Sequence, residues 1–137
     1  MRVFFDPSGL AKRYIREAGS DAVARVLAEA REVAVCVIGP PEIVSALCRL
    51  RRQKLLTESE YGLAKNALFA DIEDMPVVSL TFPVVQTAIR LLEENVLRTM
   101  DALHVACAIE WRADLFVSAD RRQLVAAEAS GLQILRV

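Results

Sequence analysis

A chain of 137 residues with 54% apolar content, only five Gly and five Pro, and a net charge of −1 is sized and composed for one domain, 1–137, with a substantial core. That balance excludes a disordered or linker-rich protein and one that coats nucleic acid by bulk charge. The longest apolar run, Val33–Ile38, falls far short of the roughly 20 residues a membrane helix needs, and the N-terminus lacks a signal-peptide layout, so the expectation is a cytoplasmic protein with no membrane partner.

Arg2–Phe5 reads as a short strand cut off by Asp6-Pro7, with a short helix expected over Gly9–Ile15. Ser20 suits the cap of a helix reaching about Ala30, with Val23, Val26, Leu27 and Ala30 along one face. Glu32–Ile38 reads as a buried strand, broken by Gly39-Pro40. Pro41 fits a first helical position, which puts Glu42 in the opening turn of a helix to about Gln53. Thr57-x-x-Glu60 matches a capping box for a helix to about Glu73, and Met75–Ser79 is a brief strand or extended linker. A helix is expected over Thr81–Glu94, and Thr99 as the cap of another that begins near Asp101 and runs to about Trp111. Leu115–Ser118 is strongly strand-like, Arg121–Ala129 helical, Gly131 a stop and Gln133–Val137 a last strand. Strands alternating with helices predict an α/β fold whose mostly parallel sheet is covered on both faces. Cys36, Cys48 and Cys107 have no CxxC spacing and lie in apolar stretches, so they read as reduced core thiols.

Four acids stand at the ends of these elements. Asp6 and Asp120 follow strands, whereas Glu42 and Asp101 open helices, and right-handed crossovers bring all four positions to one rim of the sheet. Each alone reads more readily as a helix cap than as a ligand. Together they repel: two unit charges about 4 Å apart cost roughly 4 kcal/mol at an effective dielectric near 20. A divalent cation offsets that repulsion, and an all-oxygen set without thiols selects Mg²⁺ or Mn²⁺ over zinc. His104, flanked by Leu103 and Val105, reads as a packed, hydrogen-bonded core histidine. Lys12, Arg13, Arg98 and the run Arg49-x-Arg51-Arg52-x-Lys54 read as phosphate contacts, partners of the acids or solvated basic stripes. Trp111, a lone tryptophan, reads as core or interface.

The blocks Phe4-Phe5-Asp6-Pro7-Ser8-Gly9-Leu10-Ala11-Lys12, Pro41-Glu42-Ile43-Val44-Ser45-Ala46-Leu47, Leu97-Arg98-Thr99-Met100-Asp101-Ala102-Leu103-His104-Val105-Ala106 and Phe116-Val117-Ser118-Ala119-Asp120-Arg121-Arg122 resemble, in order and spacing, the signatures of PIN-domain ribonucleases, especially VapC-type toxins. The resemblance implies a three-layer α/β/α fold and a Mg²⁺- or Mn²⁺-dependent endoribonuclease that leaves a 5′-phosphate and a 3′-hydroxyl. It implies a homodimer silenced by a cognate antitoxin, which the greasy helices between Pro41 and Glu73 would suit. Position by position, Asp6, Glu42, Asp101 and Asp120 match the family's acids, and Ser8 matches a small polar residue that supports the site. Thr99 and Ser118 are further candidates for support, shared with capping. Pro7 stands where a small or hydroxyl residue is more usual, and Gly9 where Ala is common. On this reading Asp6, Asp101 and Asp120 hold metal directly or through water, and Glu42 either binds a second ion or orients the attacking water. The rival reading is a PIN-like module that no longer cuts and binds RNA or protein. A phosphoacceptor domain or an Asp-nucleophile phosphatase fits poorly, because Asp6 has no acidic neighbour and Ser8 stands two residues on.

Overall fold

The computed structural model describes residues 1–137. Strands β1 (Arg2–Phe5), β2 (Glu32–Cys36), β3 (Val77–Val78), β4 (Leu115–Ser118) and β5 (Gln133–Arg136) form one sheet in the order β3-β2-β1-β4-β5, with every pair parallel. The chain winds outward from β1 through β2 to β3, then returns to lay β4 on the other side of β1. The carboxyl ends of β1 and β4 therefore border the point where the strand order reverses, the usual place for a crevice in an open α/β sheet.

Seven helices cover the sheet: α1 (Pro7–Leu10), α2 (Ser20–Glu29), α3 (Gly39–Arg52), α4 (Glu58–Asp74), α5 (Phe82–Glu94), α6 (Thr99–Glu110) and α7 (Arg121–Ala129). Alternation along the strands divides the core in two, as the two-residue period of a strand requires. Val3, Phe5, Val35 and Val117 pack with Leu10, Val23, Ile43, Leu47, Ala64 and Leu68 from α1 to α4. Phe4, Ala34, Cys36 and Phe116 face the other way, onto α5, α6 and α7. The expected three-layer α/β/α architecture is the one observed.

Local chemistry sets the boundaries. Pro40 and Pro41 occupy the first turn of α3, where a missing N–H costs nothing, so that helix starts at Gly39 and β2 ends at Cys36 rather than Ile38. The Thr57/Glu60 capping box is complete, with both reciprocal bonds at 3.0 Å. Further expectations are corrected. The helix read over Gly9–Ile15 begins earlier, at Pro7, because the Asp6 side chain caps it, and it decays into a 3₁₀ turn over Ala11–Arg13. Gly19, at φ 95°, takes the cap of α2, since the Ser20 hydroxyl is drawn away to the Lys12 carbonyl and the Glu17 N–H. Arg98, not Thr99, sits at the cap of α6. Cys36 and Cys107 are buried with their sulfurs 3.4 Å apart, whereas Cys48 is only half-buried, beside Tyr61. No helix is long and apolar enough to cross a membrane.

Candidate functional site

Asp6 leaves the end of β1 with its N–H bonded to the Val117 carbonyl of β4 at 3.1 Å. Its carboxylate accepts from the Ser8 hydroxyl at 2.8 and 2.9 Å and from the Gly9 N–H at 2.9 Å, and the residue is only 3% exposed. Burial dominates its electrostatics and raises its pKa to about 6, although Gly9, Ser8, the His104 charge and Ser118 all pull downward. The turn is tight against β4. A Cβ on Gly9 would stand 2.9 Å from the Val117 carbonyl oxygen, so the glycine permits a backbone approach no larger residue could make. Ser8 completes the seam by accepting from the Ala119 N–H at 3.0 Å.

Asp101 lies in the first turn of α6 and is half-buried. Burial, then the nearby charge of Asp120, raises its pKa, with Glu42 adding to the effect. Gln123, in the first turn of α7 and 1% exposed, donates from Nε2 to Asp101 Oδ1 at 3.2 Å. The Gln123 carbonyl oxygen accepts from the Ser118 hydroxyl at 2.9 Å, and Ser118 Oγ accepts from the Asp120 N–H at 2.9 Å. Asp120 itself caps α7 through Oδ1, which meets the Arg122 N–H at 2.8 Å and the Gln123 N–H at 3.4 Å. Ser8 Oγ stands 3.4 Å from Ser118 Oγ, so the two strand ends form one polar seam.

Glu42 is held differently. Its Oε1 lies 3.0 Å from His104 Nε2, and the His104 side chain is 1% exposed against 34% for Glu42. Burial disfavours a charged imidazole, but the Glu42 hydrogen bond and charge, with Cys36 and Asp6 behind them, prevail and raise the His104 pKa. His104 Nδ1 has no partner. On the solvent side Glu42 lines a groove of about 370 Å³ with Pro7, Ser8, Ser45 and Arg49.

The structure thus brings Asp6, Asp101 and Asp120 to the carboxyl ends of β1 and β4, with Ser8 and Ser118 between them, and Glu42 beside them on α3. As the side chains stand, no three acidic, His or Cys groups converge on one point that could grip a cation. Each acid is engaged by protein donors instead. Thr99 is exposed and caps nothing. Arg13 is tied to Asp71, and Lys12 to the Ala18 carbonyl and Glu17, so neither is free for phosphates, whereas Arg49 borders the groove. One residue, Gln123, escaped the sequence reading, and for His104 the reading missed only the partner. Gln123 carried a signal, since Asp120-x-x-Gln123 is a capping-box pattern, but nothing in it told that the amide turns inward. His104 was expected to be packed and bonded, and only folding could name Glu42, 62 residues away, as its partner.

Comparison with known proteins agrees with this geometry. Residues 8–129 match the PIN domain. Ribonuclease VapC45 of Mycobacterium tuberculosis is 34% identical over 139 residues, covering 96% of this chain and 93% of that protein. Among solved structures, VapC20 of Mycobacterium tuberculosis, described as a sarcin-ricin loop cleaving toxin, superposes with a TM-score of 0.70 at 18% identity, over 98% of this chain and 99% of that one. A toxin-antitoxin complex from Klebsiella pneumoniae gives a TM-score of 0.70 at 13% identity, over 97% of this chain and 95% of that one. The length of the sequence match and the shared architecture lead to one conclusion: the chain belongs to the PIN-domain family, among the VapC-type ribonucleases.

Proposed function

We propose that this protein is a divalent-metal-dependent endoribonuclease and the toxin of a toxin-antitoxin pair. The observation that carries the reading is the uncompensated negative charge at the ends of β1 and β4. Asp6 is buried with its pKa raised to about 6, Asp101 is raised as well, and their direct donors are neutral hydroxyl, amide and N–H groups, with the His104 and Arg98 charges offsetting only part of the burial effect. Hard oxygen donors of this kind fit Mg²⁺ or Mn²⁺. Asp6, Asp101 and Asp120 would hold the ion. When bound, it supplies a more acidic water and neutralises charge on the scissile phosphate.

The chain's own groups supply the rest. Ser8 and the Gly9 N–H keep Asp6 ionised and oriented in spite of burial. Glu42, held at Oε1 by His104 and open on its other side, accepts a proton from or orients the attacking water. Arg49, in the groove shared by Ser8 and Glu42, contacts a phosphate of the RNA. Attack in line with the leaving 3′-oxygen yields a 5′-phosphate and a 3′-hydroxyl.

An antitoxin would dock along α4 and the Arg13–Arg16 turn, where a groove of about 500 Å³ lined by Tyr14, Ile15, Leu55, Leu56 and Leu63 remains open. A homodimer would use the exposed stripe of Phe82, Val85 and Ile89 on α5. Both belong to a cytoplasmic setting, where RNA and a co-expressed partner meet the protein. Retention of all four acids disfavours the non-cutting RNA- or protein-binding module.

The test is RNA cleavage by purified protein in Mg²⁺ or Mn²⁺, with fragment ends sequenced, beside an EDTA control and Asp101→Asn. Loss of cleavage in both controls is expected. Equal cleavage by folded Asp101→Asn would reject the assignment.

A further inference from the structure

Gln123 is a buried amide in the middle of the acidic rim, and its orientation is forced. An ionised carboxylate only accepts, so the end of the amide that faces Asp101 Oδ1, at 3.2 Å, is its NH₂. The carbonyl oxygen then turns to the Ser118 hydroxyl at 2.9 Å, whose Oγ accepts from the Asp120 N–H. A relay therefore runs from the backbone of β4's end, through a serine and a glutamine, to a carboxylate on another helix. At 1% exposure a glutamine that served only as a helix cap would be costly, since one apolar side chain could fill the same space without desolvating an amide.

We propose that Gln123 is a positioning residue for the ribonuclease site: it holds Asp101 by one oxygen and leaves the other directed at the cation and substrate. The proposal rests on the metal-dependent nuclease reading above. It has a built-in second member. Ser118 donates to the far end of the amide, so removing its hydroxyl loosens the Gln123 side chain and its hold on Asp101. Polar groups that orient metal-binding carboxylates in this way typically contribute roughly 10-fold to 100-fold in metal affinity or activity.

The experiment uses Gln123→Met, which keeps the side-chain length and apolar bulk but removes both hydrogen bonds, with Ser118→Ala and the double variant. Each is compared with wild type for thermal unfolding, for Mn²⁺ affinity by titration calorimetry, and for kcat and KM on an RNA substrate. Gln123→Met is expected to unfold cooperatively, to bind Mn²⁺ at least 10-fold more weakly and to lose kcat by a similar factor, with KM for RNA changed less than twofold. The double variant is expected to lose less than the sum of the two single losses, because both substitutions break one relay even though Ser118 also meets the Asp120 N–H. A merely structural glutamine would lower the unfolding temperature yet leave Mn²⁺ affinity and kcat at wild-type values below that temperature, and that result overturns the proposal. Fully additive losses overturn the relay. If wild type itself binds no Mn²⁺ and cuts no RNA, the nuclease reading fails first, and that failure is visible without any variant.

Discussion

The two halves of the acidic rim are built on opposite electrostatic plans. At the ends of β1 and β4, Asp6, Asp101 and Asp120 are held by hydroxyls, an amide and backbone N–H groups, all neutral donors. On α3, Glu42 is held by a buried imidazole that can carry a full positive charge. The first half orients its carboxylates through neutral donors; the second sets its carboxylate against an imidazole whose pKa that contact raises. The difference teaches where the proposed cation would find its carboxylates: burial raises the pKa of Asp6 and Asp101, whereas Glu42 meets His104 through Oε1 alone.

The largest effect is expected from the uncompensated half. Asp6→Asn or Asp101→Asn should lower RNA cleavage by roughly 1,000-fold, as loss of a key electrostatic group does. The same Asp6→Asn substitution should raise the unfolding temperature of the metal-free protein, because it removes a buried charge. Mn²⁺ should stabilise wild type against heat and fail to stabilise the variant, as followed by circular dichroism. A metal-free Asp6→Asn that melts below wild type would contradict the comparison.

Glu42→Gln sharpens it from the other side. Cleavage should fall by roughly 100-fold, the scale of a lost general base, while the Mn²⁺-induced rise in unfolding temperature survives. If the thermal response to Mn²⁺ disappears instead, Glu42 belongs with the metal-holding acids.

Next in size is the pH dependence of metal-free stability. Asp6 has a pKa raised to about 6 in the fold. Above that pH it is charged in both folded and unfolded states, and its burial opposes folding; as pH falls from 6 toward 4 the folded state takes up a proton first and stability returns. The full swing is about 3 kcal/mol, from a shift of roughly two units. His104 acts in the same direction in a higher window: its raised pKa gives stabilisation that is complete below about 6.5 and is lost as pH climbs through the folded value. Urea unfolding at pH 8, 6.5 and 5 should therefore give rising midpoints in EDTA. Saturating Mg²⁺ should flatten the Asp6 part of the trend.

The smallest effect concerns the frame beneath both halves. Gly9→Ala places a methyl against the Val117 carbonyl and should cost about 1–3 kcal/mol, the usual range for forced overpacking. Chemical denaturation measures it directly.

Much of this architecture was readable in advance, for a physical reason. The strand-like runs Arg2–Phe5 and Leu115–Ser118 end abruptly at Asp6-Pro7 and Ala119-Asp120, so strand ends and acid positions coincide in the sequence itself. Pro40-Pro41 and Thr57-x-x-Glu60 likewise encode helix starts through backbone chemistry alone. Boundaries failed where a side chain had a distant competitor. Ser20 reads as a cap until Lys12 and Glu17 take its hydroxyl, and Gly9 reads as a helix start until the Asp6 cap moves that start to Pro7. Within the site, the acids were legible because each stands at an element's end. Their partners were not. Gln123 meets Asp101 and His104 meets Glu42 only after separate crossovers have laid α6 and α7 beside the same strand ends.

The close seating of the Asp6 turn on β4 has a further consequence during synthesis. Its defining bonds join Asp6 to Val117 and Ser8 to Ala119, across more than 100 residues of chain. A ribosome extending this polypeptide exposes the first acid early, but no surface against which that turn can settle exists until β4 has left the exit tunnel. Nascent fragments ending short of residue 118 therefore carry at most three of the four acids and lack the β4 end on which the Asp6 turn settles.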